Sequence, residues 1–186
     1  MSEIAVRPVQ GSDAVEVAAL LNAIIARGGT TALETPYTPE HLTEAYLTGP
    51  DVFCCFVAVD RATGRVEGFQ TLGRTSHLAS DWGDIGTFSR VDGTQRGVGS
   101  ALFAATRARA TELGLAGINA TIRADNRGGL AFYDKMGFED YAITPAVPLK
   151  DGTPVDRIRK RYPLRSQASE AGDRAMADLN LEGSIG

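Results

Sequence analysis

Cysteine and histidine are both scarce in this chain, at two residues each. Cys54 and Cys55 are adjacent, and neighbours on a strand point to opposite faces. Neither a disulfide framework nor a metal clip is available from them, so they read as small core residues and no metal is expected. No apolar run is long enough to span a bilayer. Residues 1–9 show no basic region followed by an apolar stretch, so no secretory signal is read there, and a reducing cytoplasm is the expected compartment. The formal net charge is only −4. That weak acidic balance argues against gripping nucleic acid or an anionic membrane through bulk charge. What remains is an ordinary globular composition, 43% hydrophobic over 186 residues, enough for one well-buried domain.

Hydrophobic periodicity and glycine punctuation divide the chain. A first strand runs over residues 4–9. Asp13 with Glu16 three residues on forms a capping-box-like pair. Val17, Leu20, Leu21, Ile24 and Ile25 then recur at helical spacing until Gly28-Gly29. Thr38-Pro39 opens a second, shorter helix with Leu42, Ala45 and Tyr46 on one side, closed by Gly49-Pro50. Strands are expected over 52–59 and 66–72 as a hairpin, and over 85–91. The helix over 97–113 is the best formed, with Val98, Ala101, Leu102, Ala105 and Ala108 on one face. Ile118, Ala120 and Ile122 mark a strand, and 126–136 reads as a helix stopped by Gly137. Two last strands flank the turn Lys150-Asp151-Gly152. Arg157, Arg159 and Arg161 share a face of the final strand, a row that suits a solvated edge or attraction of an anionic group. Residues 1–165 form the domain, and 166–186 lose aliphatic density and read as a tail. This order implies an α/β chain with a mixed sheet and helices on its faces.

The chemistry lies in Ser89 to Ser100, S-R-V-D-G-T-Q-R-G-V-G-S. A strand enters a glycine-containing turn that opens a helix. The first amides of a helix lack internal partners, and the helix dipole adds positive potential there, so a phosphate is a natural occupant. Gly97 and Gly99 leave room for its approach, and Arg96 adds a forked cation. A plain strand-to-helix connection looks the same. The Gly-Lys-Ser/Thr of a nucleotide phosphate loop is lacking, as is the third glycine of a dinucleotide fingerprint.

A second motif follows at a fixed remove: Asn126, then Phe132-Tyr133-Asp134-Lys135-Met136-Gly137-Phe138. Together the two resemble the GNAT superfamily of N-acetyltransferases. Its members carry a Gln/Arg-x-x-Gly-x-Gly/Ala turn around the CoA pyrophosphate, and then an Asn followed by Phe-Tyr-x-x-x-Gly-Phe. The matching turn here is Thr94-Gln95-Arg96-Gly97-Val98-Gly99, with Thr94 where the family usually has Gln or Arg. The resemblance implies a mostly antiparallel twisted sheet of about seven strands flanked by about four helices. It implies acetyl-CoA as co-substrate, held by Phe88, Ser89, Val91, Gln95, Arg96, Gly97, Val98, Gly99, Ser100 and Asn126. The reaction implied is direct transfer to a primary amine through a tetrahedral intermediate, with a backbone amide near residues 88–91 facing the oxyanion. Tyr133 takes the place of the residue that protonates the leaving thiolate.

No general base stands out: Asp81, Asp84 and His77 lie before or on the fourth strand, where a base or water relay would stand, but each reads more readily as a solvated loop charge. The stretch Gly29 to Pro36 is similar to the loop of the phosphinothricin and small amino-acid acetyltransferase branch, with Leu33 where that branch has Phe. Glu34 is the candidate for meeting a substrate ammonium group. The expected partner is a small-molecule amine, with a second copy of the chain as a further candidate. Three alternatives stay open: a non-catalytic acyl-CoA-binding regulatory module, a protein N-terminal or lysine acetyltransferase, and a nucleotide-dependent oxidoreductase.

Overall fold

The computed structural model describes residues 3–92 and 96–164. The expected tail over 166–186 lies outside the described residues, as does Gln95. Seven strands form one sheet: β1 (Ile4–Pro8), β2 (Val52–Asp60), β3 (Val66–Gly73), β4 (Trp82–Ser89), β5 (Gly117–Arg123), β6 (Glu139–Pro148) and β7 (Pro154–Pro163). Their spatial order is β1-β2-β3-β4-β5-β7-β6. Every pairing is antiparallel except β4 with β5. Among the described residues four α-helices accompany them: α1 (Ala14–Arg27), α2 (Pro39–Leu42), α3 (Val98–Glu112) and α4 (Arg127–Met136). The mixed sheet of seven strands and four helices is the architecture expected from the sequence.

The sheet divides the core. On one face α1 and α2 bury Val17, Leu20, Leu21, Ile24 and Leu42 against Val57 and Phe69. On the other, Phe103 of α3 and Tyr133 of α4 pack with Leu72, Ile85, Ile118 and Phe138. Adjacent cysteines obey the strand alternation: Cys55 joins the first cluster, and Cys54 packs against the second. Both thiols are free, and burial pushes Cys54 up to about 11, so it is a packing group and not a nucleophile. Phe69 is completely buried, and such a side chain contributes roughly 1.5–3 kcal/mol on leaving water.

Several expectations are corrected. Asp13 does not cap α1 with its side chain. Its carboxylate accepts from Arg7 Nη1 and Nη2 at 2.7 and 2.8 Å and from the Gln10 amide at 2.7 Å. The bidentate arginine outcompetes the helix amides. Glu16 reaches across to the Val66 amide and Arg90 Nη2 instead of closing a capping box. The second helix changes hand-over after one turn: Thr43–Leu47 is a π-turn, and its wider spacing brings Leu47 into the core while leaving Ala45 exposed. Gly49 then passes so near Glu44 that an added Cβ would lie 1.7 Å from its carbonyl oxygen. On α3 the buried stripe is Val98, Leu102, Phe103, Thr106 and Ala110, and Ala108 is exposed, because burying Phe103 removes more apolar area than burying alanines. The fourth strand spans Trp82–Ser89, earlier than the expected 85–91. The arginine row is not on an edge. β7 sits between β5 and β6, and Arg157 is buried.

Candidate active site

β4 and β5 are the one parallel pair, and their register runs only from Trp82↔Gly117 to Ile85↔Ala120. Beyond Ile85, β4 stays with β3 through Gly68↔Ser89, whereas β5 stays with β7 through Arg123↔Arg157. The two strands therefore part. Over residues 86–89, the amides that do not face β3 face the opening. A cleft of about 880 Å³ occupies this gap, within the usual range for ligand sites.

One wall is the first turn of α3. Gly97, the N-cap, has φ 86°, a left-handed conformation that favours glycine. It brings no side chain to the amides of Val98, Gly99 and Ser100. Gly97 to Ser100 all line the cleft. Val98 contributes backbone only, because its side chain is buried with Ala58 and Leu102. An added Cβ at Gly99 would stand 2.7 Å from the Phe132 ring, so the close packing of α3 on α4 leaves no room for a larger residue. Arg96 is exposed beside this turn and is not part of the lining. A free helix N-terminus of this kind suits a phosphate group.

The opposite wall comes from β5 and α4. Asn126 caps α4 by accepting from the Gly129 amide at 2.9 Å, and its Nδ2 donates to the Thr30 carbonyl at 2.8 Å. Arg123 donates to the Thr31 carbonyl at 3.1 Å and is held by both oxygens of Asp125. These two bonds bring the 30–33 loop over the cleft. Asn126 is thus both a helix cap and a link to that loop. Phe88 stacks on Phe69 at 4.8 Å between centroids, and Phe88, Ser89 and Val91 line the cleft with Asn126 and Tyr133.

Tyr133 enters from α4. Its ring packs edge-on against Phe132 and Phe138, and its hydroxyl lies 2.8 Å from Thr87 Oγ1. Burial pushes the phenol well above its ordinary value, while the Thr87 hydrogen bond acts in the opposite direction. It therefore stands protonated at neutral pH, as a proton donor must.

Asp84, one of three carboxyl and imidazole candidates on this segment, lines the cleft. Asn119 Nδ2 donates to its Oδ1 at 2.6 Å, and Tyr141 donates to Asn119 Oδ1 at 2.5 Å. Burial raises its carboxyl above the ordinary range. The Asn119 hydrogen bond and the charges of Arg159 and His77 act against that rise. Asp81 and His77 do not line the cleft. The position of Asp84 depends on β5 lying alongside β4, a non-local pairing for which its neighbours in sequence give no signal.

Glu34 sits elsewhere. It borders a small neighbouring depression, and both of its carboxylate oxygens accept from the Lys150 amide, at 3.0 and 2.9 Å. It clasps the β6–β7 turn to the loop. Among the described residues no group of three or more His, Cys, Asp or Glu is placed to hold a metal ion, and no helix is long and apolar enough to cross a membrane.

Similar proteins give the same picture. A sequence model described as the acetyltransferase (GNAT) family matches residues 29–138. No curated protein sequence matches the chain. Among solved structures, a protein provisionally named phosphinothricin N-acetyltransferase is 24% identical, with a TM-score of 0.76 over 88% of this chain and 100% of that one. A GNAT-superfamily phosphinothricin acetyltransferase from Sinorhizobium meliloti, in complex with AcCoA, is 20% identical, with a TM-score of 0.74 over 88% of this chain and 89% of that one. A ribosomal-protein-alanine N-acetyltransferase from Brucella melitensis is 18% identical, with a TM-score of 0.73 over 86% and 99%. At these identities the structures speak for the fold, and the family match covers more than half of the sequence. The chain belongs to the acetyltransferase (GNAT) family.

Proposed function

We propose that the cleft between β4 and β5 is an acetyl-CoA-dependent N-acetyltransferase site acting on a primary amine of a small molecule. The observation that carries this reading is that one cleft is lined both by the first turn of α3 and by Tyr133. The amides of Val98, Gly99 and Ser100 would hold the pyrophosphate, with Gln95 and Arg96 as side-chain donors and Asn126 closing the far wall. The open positions around Gly97 fit that group, since nothing lies within 4 Å of a Cβ built there.

Acetyl-CoA supplies the thioester; attack by a neutral amine forms the C–N bond through a tetrahedral oxyanion, and collapse breaks the C–S bond. The chain meets three needs of that exchange. An ammonium group, with an ordinary pKa of roughly 10, must first lose a proton, and Asp84 is the carboxylate placed in the cleft to take it. Gap-facing amides of residues 86–89 stabilise the oxyanion. Tyr133 gives its proton to the departing sulfur and regains one from solvent after the amine nitrogen has shed its own.

The small-molecule acceptor is supported by the loop over the cleft. Arg123 and Asn126 fasten residues 30 and 31 across one end, which leaves poor passage for a folded polypeptide. Glu34 would act at the mouth of this end, beside the hairpin turn it clasps. Two free thiols suit a reducing compartment, and the cytoplasm is the compartment this reading assigns. The test is thiol release from acetyl-CoA across a panel of primary amines and peptides. Release with small amines supports the reading. Release only with peptides moves the acceptor to proteins, and binding of acetyl-CoA without release makes the chain a binding module.

A further inference from the structure

Gln70 is completely buried on β3 and lies opposite Thr87 in the β3–β4 register. Its Nε2 donates to Thr87 Oγ1 at 2.8 Å, and its Oε1 has no partner. Thr87 Oγ1 in turn lies 2.8 Å from Tyr133 Oη. A threonine hydroxyl has one hydrogen and two lone pairs, and an amide nitrogen can only donate. Gln70 therefore fills a lone pair of Thr87. Thr87 itself is half-buried and lines the cleft, so if Tyr133 donated to Thr87 the phenolic hydrogen would be spent inside the protein and the hydrogen facing the cleft would be an alcohol's and not a phenol's. If Thr87 donates to Tyr133, the phenolic hydrogen remains for the cleft, which Tyr133 also lines.

We propose that Gln70 and Thr87 are positioning residues that set this direction, Gln70 Nε2–H to Thr87 Oγ1 and Thr87 O–H to Tyr133 Oη, so that Tyr133 presents its proton to the leaving sulfur. The inference rests on the acetyltransferase reading above. The same Thr87 hydrogen stabilises the phenolate left behind when the proton departs. A reversed glutamine amide would draw the Thr87 hydrogen to its own oxygen, turn the Tyr133 hydrogen onto Thr87 and silence the acid.

The test is a double-mutant cycle on thiol release from acetyl-CoA, using the amine panel, with Thr87→Val, Thr87→Ser, Gln70→Met and Tyr133→Phe. Thr87→Val is expected to lower kcat about tenfold, the worth of one hydrogen bond to a developing charge, with KM for acetyl-CoA unchanged. Thr87→Ser keeps the hydroxyl and restores kcat to within about twofold of wild type. Gln70→Met costs less than Thr87→Val. In the Tyr133→Phe background neither Thr87→Val nor Gln70→Met costs anything further, because they act through the missing hydroxyl. Equal losses in both backgrounds, or a Thr87→Ser enzyme as slow as Thr87→Val, would overturn the proposal and leave the acetyltransferase reading standing. No release from wild type with any amine would overturn both.

Discussion

The Tyr133 hydroxyl on α4 and the Thr87 hydroxyl on β4 lie 2.8 Å apart, at the level where β4 has already parted from β5. That contact fixes a helix-borne phenol to a strand whose remaining amides face the same opening. Tyr133→Phe keeps the ring and its packing on Phe132 and Phe138 and removes only the donor. It is expected to lower kcat about 10²-fold or more, with KM for acetyl-CoA and the melting temperature nearly unchanged. Steady-state thiol release and a thermal melt check this; an unchanged kcat would remove Tyr133 from the chemistry.

Asp84 offers a prediction in which stability and rate move oppositely. Burial holds its folded pKa above the unfolded value, so the folded protein binds the extra proton and this carboxyl destabilises it as pH rises through the interval between the two. Asp84→Asn keeps an acceptor for Asn119 and removes that penalty. Its melting temperature at pH 7 should equal or exceed that of wild type, while kcat falls by roughly 10²-fold. Wild-type kcat/KM should decline as pH falls through the raised Asp84 value, and this acid limb should be absent from the variant's residual rate. A variant with wild-type activity would exclude Asp84 as the base.

How much of this was legible in the sequence depends on the range of the interaction. Glycine stops placed the ends of α1, α3 and α4 to within a residue or two, because a left-handed cap is a local requirement met at Gly28, Gly114 and Gly137. The motif residues were legible: of them, Phe88, Ser89, Val91, Gly97, Val98, Gly99, Ser100, Asn126 and Tyr133 line one cleft, whereas Arg96 does not and Gln95 lies outside the described residues. Non-local choices were not. Asp13 prefers Arg7 to a helix amide, Glu16 reaches β3, and the arginine row becomes interior because β7 inserts between β5 and β6. Gln70 and Asp84 acquire meaning only through their cross-strand neighbours Thr87 and Asn119, whose pairing no local pattern announces. Gly83 and Gly86 weakened the strand signal around Asp84, which is why β4 reads as starting late.

Arg7 and Asp13 give a test of the first face of the sheet. The arginine hydrogen bonds hold the Asp13 carboxyl below its ordinary range. Its folded pKa lies under the unfolded one, so the stabilisation is complete above the unfolded value and is lost as pH falls through the folded value. Asp13→Ala should lower unfolding free energy at pH 7 by about 1–3 kcal/mol through the lost hydrogen bonds and the stranded guanidinium. Urea titrations should show the gap to wild type narrowing in acid. A gap that does not change with pH would contradict the assignment.

The two glycines of the α3 turn should fail in different ways. Gly97→Ala forces a left-handed alanine at about 1 kcal/mol, with its methyl pointing into open space. Gly99→Ala brings a methyl to 2.7 Å from the Phe132 ring, so α3 and α4 must shift. Both should raise the Kd for acetyl-CoA, and Gly99→Ala should also perturb Tyr133 and lower kcat. Calorimetry with kinetics separates the two; equal effects on kcat would argue against coupling through Phe132.

The central claim is that free amides at the start of α3 hold an anionic diphosphate. Ser100→Asp tests it most directly, because a carboxylate in the first turn favours the helix dipole while repelling a bound phosphate. Calorimetric titration with acetyl-CoA should show binding by wild type and none by Ser100→Asp, although the variant melts no lower. Equal affinity for acetyl-CoA in the two proteins would contradict the account.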